Sequence, residues 1–411
     1  MNETLVMPSN APDAERLRQR SRSVPIVCFL IAMLDGYDTL MLSFIAPLIS
    51  KEWGLGRGAF GSLFAAGYAG AMVGAVIFGM AADRFGRKNL LLVSMLIGGV
   101  FTILCSTAGG SGELMLWRFM AGVGLGGAIP SISALTAEHA APAHRSATVT
   151  RMFLGFPIGA VAGGAITASV MSLVGWRGVF VGGGVLSLSL LPIAFIAVTE
   201  IRGGDGAGGV SRSERPLSDL VADGRWFGTV LICLSAFLIL LVSYFLISWT
   251  PTVLTMHGMS PERAAVAGVV LNLGGVLGAL AMSIALTGRS PFGPVALCLG
   301  IGGVLTVILG QNIVGEASWT LALIFVVGAF VIGGQMNFPA LGVHFYPEEV
   351  RATGVGLAMG VGRFGSIVGP LLGGYLVSAK LGWDQLFLFA GVPAVLAAAA
   401  MAAILLRKRS R

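Results

Sequence analysis

Apolar residues run through this chain in long unbroken stretches separated by short polar connections. The stretches cover about 24–48, 59–82, 89–108, 112–137, 147–171, 177–199, 227–256, 262–287, 293–312, 319–345, 350–378 and 384–406, each long enough to cross a bilayer as a helix. Strands are excluded by this length and by the absence of alternation between apolar and polar positions. The pattern predicts an all-α polytopic membrane protein with twelve transmembrane helices.

The connections divide by charge. One set carries Arg16, Arg18, Arg20 and Arg22; Arg84, Arg87 and Lys88; Arg145; Arg202, Arg212, Arg215 and Arg225; Arg289; Arg351; and Arg407, Lys408, Arg409 and Arg411. The other holds little beyond Lys51, Arg57, Arg177, Arg263 and Lys380. Basic connections stay in the cytoplasm, so both termini are expected there, with the chain in a bacterial inner membrane. The longest connection contains GGDGAGG and then SRSERP, a composition that forms a flexible linker without a core. It divides the chain into a cytoplasmic tail (1–23), a six-helix bundle (24–199), the linker (200–226), a second six-helix bundle (227–406) and a short tail (407–411). EHAAPAHRSATV, ahead of the fifth span, is echoed by FYPEEVRATGV ahead of the eleventh. With Arg145 set on Arg351, Gly159 falls on Gly365 and Gly163 on Gly369, as in a transporter built from repeats. Pro157 then falls on Arg363, so the halves differ where one carries a charge.

Composition excludes other classes. Of 411 residues, 55% are hydrophobic and only 11% charged, which rules out a soluble domain. The net charge of +7 lies scattered between spans, so it sets topology and does not point to nucleic acid. Cys28, Cys105, Cys233 and Cys298 all fall within apolar spans and outline neither a disulfide framework nor a metal site. The first 23 residues precede an apolar run too long for a cleavable signal, so that run is expected to remain as the first span.

Charges inside the spans are few, and each is costly in hydrocarbon. Asp35 and Asp38 share a helix face at spacing i,i+3. Arg118 lies at a depth from which an extended side chain reaches Asp38, the two being roughly 9 and 15 Å from the same end of their helices. Arg363 sits at mid-depth in the eleventh span, where its guanidinium fork suits a planar carboxylate. Glu138, His139 and His144 lie near the cytoplasmic edge. A structural reading stands beside the functional one: these charges pair only to hold helices together, as the glycine stripes at 155, 159, 163 and at 365, 369, 373 do by close packing.

GMAADRFGRKNL, from Gly79 to Leu90, resembles the signature loop of the major facilitator superfamily, and LMLWRFMAGVGLGG, from Leu114 to Gly127, resembles its fourth-helix arginine motif. LDGYDTLMLSFIAP from Leu34, ALTAEHAAPAHR from Ala134, YFLISWTPTVL from Tyr244 and FYPEEVRATGVGLAMGVGRFGSIVGPLLGG from Phe345 resemble the aromatic acid:proton symporters within it. The resemblance implies proton-coupled import of a small hydroxybenzoate-like carboxylate by a monomeric carrier without cofactor or metal, in contact with lipid and not with nucleic acid. Coupling is expected through Asp38, Asp35 and Arg118: because Arg118 reaches Asp38, depth favours Asp38 as the proton carrier, with Asp35 in the milder supporting role. Arg363 would hold the carboxylate. Tyr37, Tyr244, Trp249 and Phe338 would wall the ring, and Asn272, Gln335 and Asn337 would serve ring hydroxyls. Asp83, Arg84, Arg87, Glu138, Arg145 and Arg351 would form the cytoplasmic gate, weaker in the second half, where LTGRSPFG lacks the acid. Transport of a non-aromatic dicarboxylate, export of an organic anion or drug, and a receptor without turnover are the alternatives.

Overall fold

The computed structural model describes residues 11–141, 145–198, 220, 225–286, 290–312 and 317–409. His144, the side chains of Asp83 and Arg145, and most of the expected linker lie outside the described residues, as do the side chains of the arginines before residue 23.

The helices are α1 (Ala11–Trp53), α2 (Phe60–Phe85), α3 (Arg87–Cys105), α4 (Ser111–Glu138), α5 (Arg145–Phe153), α6 (Gly155–Ala197), α7 (Trp226–Met256), α8 (Pro261–Ala285), α9 (Phe292–Asn312), α10 (Ala317–Met336), α11 (Pro339–Phe345), α12 (Glu348–Ser378) and α13 (Trp383–Arg409). Among the described residues, 11 helical segments are long and apolar enough to cross a membrane. α1 starts at Ala11, well ahead of the apolar run, so the helix extends back into the expected tail. α6, at 43 residues, would be about 65 Å long if continuous, twice the hydrocarbon thickness. It is not continuous: Gly175, at φ 65° and ψ 178°, breaks it into limbs at 155–174 and 176–197. Only glycine adopts that backbone without strain.

Two further breaks interrupt runs that the hydropathy pattern shows as single spans, and each precedes a proline. α5 gives way to α6 at Leu154, just ahead of Pro157. α10 gives way to α11 across Asn337 and Phe338, ahead of Pro339. A proline has no N–H to donate and its ring crowds the carbonyl four residues back, here Phe153 and Gln335. Asn337 closes the second break by donating from Nδ2 to the carbonyls of Gly333 (3.0 Å) and Ala279 (3.2 Å).

Close helix packing relies on missing side chains. A Cβ at Gly159 would stand 1.9 Å from the Met33 carbonyl of α1, and one at Gly365 would stand 2.1 Å from the Phe237 carbonyl of α7. The two glycines that the internal repeat equates thus do the same job, each seating its helix against the backbone of another. In a membrane, where lipid is as apolar as a neighbouring helix, such contact is a main source of association.

α2 and α12 meet at the end of the bundle away from the arginine-rich connections. A Cβ on Gly61 would come within 2.7 Å of the Pro370 carbonyl, and one on Gly374 within 2.6 Å of the Gly58 carbonyl. Trp249 Nε1 donates to the Pro370 carbonyl at 3.0 Å, and its ring meets Phe64 edge-on at 5.7 Å. This end is closed. Gly61→Val should therefore cost about 1–3 kcal/mol of overpacking in this closed form alone and shift molecules away from it. The check is labelling of a Ser248→Cys probe by an impermeant maleimide, in a background without the four native cysteines. Several-fold faster labelling from that end is expected; an unchanged rate contradicts the seal.

Candidate functional site

Asp35 and Asp38 leave α1 about 60° apart around the helix axis, and that difference separates their surroundings. Asp38 points into the space between α1, α3 and α4 and is 2% exposed. Both carboxylate oxygens are satisfied: Thr102 Oγ1 donates to Oδ1 at 2.7 Å, and Arg118 Nη1 donates to Oδ2 at 3.1 Å. Arg118 Nη2 also donates to the Asp38 backbone carbonyl at 3.1 Å, and the guanidinium lies 5.9 Å from the Phe180 ring centroid. The ion pair is buried and multiply held.

Asp35 faces instead a cavity of about 340 Å³. Arg363 from α12, Gln335 and Met336 from the end of α10, Tyr244 from α7 and Tyr68 from α2 line it with Asp35 and one side of Arg118. The two tyrosines pack edge-to-face with centroids 4.7 Å apart, and Tyr68 Oη lies 3.3 Å from Ser248 Oγ in a hydrogen bond that joins α2 to α7. Much of the remaining wall is apolar, including Ile129, Ile132, Phe153 and Met359. Those residues carry the cavity toward the arginine-rich end, opposite the α2–α12 seal. Asp35 lies within electrostatic reach of Arg363 and of Asp38. Among the described residues Arg363 forms no ion pair, leaving its guanidinium open to the cavity.

Several expected wall residues stand elsewhere. Tyr37 lies flat on Gly163 in a separate recess between α1 and α6, because Gly163 provides the flat surface its ring needs. Trp249, 1% exposed, does not line the cavity; it packs on Gly373 and holds α7 to α12. Phe338 is buried at the α10–α11 break. Asn272 donates to the Gly268 carbonyl of its own helix at 2.9 Å, and Asn337 is occupied at the break. Of the expected aromatic and amide residues, only Tyr244 and Gln335 line the cavity.

At the arginine-rich end, Arg87 pairs with Glu138, tying the start of α3 to the end of α4. Each charge stands at the helix end its macrodipole disfavours, and the pair offsets both penalties. Arg84 lies 5.7 Å from the Phe85 centroid, and Arg351 Nε donates to the Tyr346 carbonyl at 3.4 Å. Thr102 and Tyr68 escaped the sequence reading. For Tyr68 the available signal was a lone tyrosine among small residues in FAAGYAG; a single threonine in an apolar span gives no such signal. No group of three or more histidine, cysteine, aspartate or glutamate side chains able to hold a metal occurs among the described residues.

A charged cavity inside a helical bundle, open toward one end and sealed at the other, is the arrangement of a membrane transporter on one side of its cycle. Residues 28–367 match the Major Facilitator Superfamily, with a second match over 292–411. A gallate transporter of Pseudomonas putida is 35% identical over 92% of this chain and 90% of its own length. The 4-hydroxybenzoate transporter PcaK of the same organism is 34% identical over 91% of this chain and 90% of its own. The solved structure of a bacterial homologue of the human lysosomal transporter Spinster, in an inward-facing and occupied conformation, shares the fold with a TM-score of 0.75. It covers 93% of this chain and 96% of that one, at 18% sequence identity. The chain belongs to the Major Facilitator Superfamily and, within it, to the aromatic acid:proton symporter family. It is a transporter and not an enzyme.

The sealed pair makes a prediction independent of substrate. Arg118→Met leaves the Asp38 carboxylate buried without its counter-charge and should lower stability by about 3–5 kcal/mol. Asp38→Leu combined with Arg118→Met should recover most of that loss. Thermal unfolding in detergent is the check, and a double variant no more stable than the single one contradicts the pairing.

Proposed function

We propose that this protein imports a small hydroxybenzoate-like aromatic carboxylate together with protons across the bacterial inner membrane. Two six-helix halves, 24–199 and 227–406, alternate around the cavity, joined by a cytoplasmic linker at 200–226. In this reading the Gly175 break is the corner between the fifth and sixth of twelve spans. Both termini, the arginine-rich connections and the open end of the cavity face the cytoplasm, as the charge distribution favours. Asp83, Arg84, Arg87, Glu138, Arg145 and Arg351 belong to the gate at that end, which closes when the α2–α12 seal opens. The carrier works as a monomer surrounded by lipid.

The observation that carries this reading is the guanidinium of Arg363, without an ion pair among the described residues, in a cavity otherwise rich in apolar surface. A cation in such a place calls for an anion, and a fork calls for a planar one. The neighbouring tyrosine pair offers an aromatic ring an edge-to-face partner. Names of relatives that share more than a third of the sequence, gallate transporter among them, agree with this substrate class.

Coupling follows from charge. Asp38 and Arg118 neutralise each other, so Asp35 and Arg363 are left to balance across the cavity. When an incoming carboxylate occupies Arg363, Asp35 loses its counter-charge in a site of low dielectric, and taking a proton restores neutrality. Substrate and proton therefore bind as a unit. Asp35, which borders the cavity, is the group that exchanges the proton, and Asp38 with Arg118 forms the fixed pair beside it. These roles reverse the assignment that span depth alone favours. A substrate anion entering alone opposes an inside-negative potential by about 2.3 kcal/mol per 100 mV; entry with one proton does not.

Arg363→Ala should weaken 4-hydroxybenzoate binding roughly 10- to 100-fold, matching the 1.5–3 kcal/mol of a hydrogen bond to a charged group. Arg363→Lys should restore only part of it, because the paired fork is lost. Binding to purified protein and counterflow in vesicles are the measurements. Near-normal affinity in the alanine variant removes Arg363 from the site, and binding without exchange of label makes the protein a receptor.

A further inference from the structure

Gln335 occupies a position with two unusual features. It sits in the last turn of α10, four residues before Pro339, which cannot donate to the Gln335 carbonyl. That carbonyl accepts instead from Phe338 N at 3.0 Å, a tighter turn that fixes the end of the helix. The residue is thus held on a rigid corner beside Met336, and both line the cavity.

Its side chain is unmatched. Among the described residues the Gln335 amide has no hydrogen-bond partner, and Oε1 is shut off from solvent without a donor. The two asparagines that share its chemistry are occupied by backbone carbonyls. Buried acceptors are ordinarily paired, and one left without a donor on a residue that lines a cavity calls for a partner that arrives with the ligand. Turning the terminal amide about its last bond brings Oε1, the atom that lacks a donor, to the cavity, where a ring hydroxyl can supply one.

We infer that Gln335 is the specificity-determining residue for a ring hydroxyl, making the cavity selective for hydroxylated over unsubstituted aromatic acids. The inference rests on the aromatic-carboxylate reading above and adds a second recognition point to it. Arg363 takes the carboxylate and Gln335 takes the phenolic O–H, with the ring between them beside Tyr68 and Tyr244. An unsubstituted ring leaves the amide unmatched, and a methoxy group offers an acceptor but no proton to Oε1. A site built to bond a hydroxyl rejects the analogue without it, because its own polar group stays buried and unsatisfied.

The test measures affinities of purified wild type and Gln335→Met for benzoate, 3-hydroxybenzoate, 4-hydroxybenzoate and 4-methoxybenzoate. Methionine keeps the length of the side chain and removes its hydrogen bonding. Wild type should bind at least one hydroxybenzoate about tenfold more tightly than benzoate or the methoxy acid, the scale of one buried hydrogen bond. Gln335→Met should lose that preference by weakening for the hydroxybenzoate and tightening for benzoate, whose ring no longer buries an unmatched amide; thermal unfolding in detergent checks that the variant is folded. The hydroxybenzoate that loses more identifies the ring position read. If Gln335→Met keeps the preference, or weakens all four acids equally, the role of Gln335 falls and the aromatic-carboxylate reading stands. If wild type binds none of the four, both fall.

Discussion

Charge inside hydrocarbon has to be balanced at short range, and this constraint shapes the centre of the bundle. Asp38 and Arg118 meet it directly, with every carboxylate oxygen and both terminal guanidinium nitrogens engaged. Asp35 and Arg363 meet it only across open space, since they face one cavity without forming an ion pair. The first pair stabilises the fold of α1 against α3 and α4. The second leaves a cation available to a ligand, and the difference between the two pairs separates scaffold from site.

The surrounding structure keeps that open pair reachable from one end only. Glycines at 58, 61 and 374 let α2 and α12 touch backbone to backbone, without interlocked side chains that would have to be withdrawn before the helices part. Trp249 and Phe64 fill the space beneath, and the Tyr68–Ser248 hydrogen bond ties α2 to α7 close to the cavity. A seal made from small residues and a few directional bonds can break and re-form at modest cost. Tyr68 belongs to both the seal and the cavity wall, so a ring packed against it is in contact with the seal itself.

The bilayer made much of the fold legible, because it demands long apolar runs with internal hydrogen bonding and biases charge to one side. Depth along a helix was legible too: counting residues put Arg118 within reach of Asp38, and the two are 3.1 Å apart. Direction around a helix was not. In a soluble helix the apolar stripe marks the inward face, but here lipid and protein interior are equally apolar, so Tyr37 and Tyr244 look alike in the sequence and point to different places. The same blindness covers the 60° that parts Asp35 from Asp38. The breaks before Pro157 and Pro339 were hidden because an apolar run shows no interruption where a proline is tolerated. For Asn272 and Asn337, nearby backbone carbonyls take up side-chain N–H donors that composition alone left available.

The claim at the centre is that Arg363 serves either Asp35 or the substrate, and that a proton replaces it on Asp35 when the substrate binds. Calorimetric titration of purified protein with 4-hydroxybenzoate, in buffers of differing ionisation enthalpy, counts protons taken up on binding without requiring turnover. Wild type should take up a proton with each substrate molecule, and Asp35→Asn should bind the acid with no proton uptake. Proton uptake by Asp35→Asn at the wild-type ratio contradicts the account and returns the exchangeable proton to Asp38.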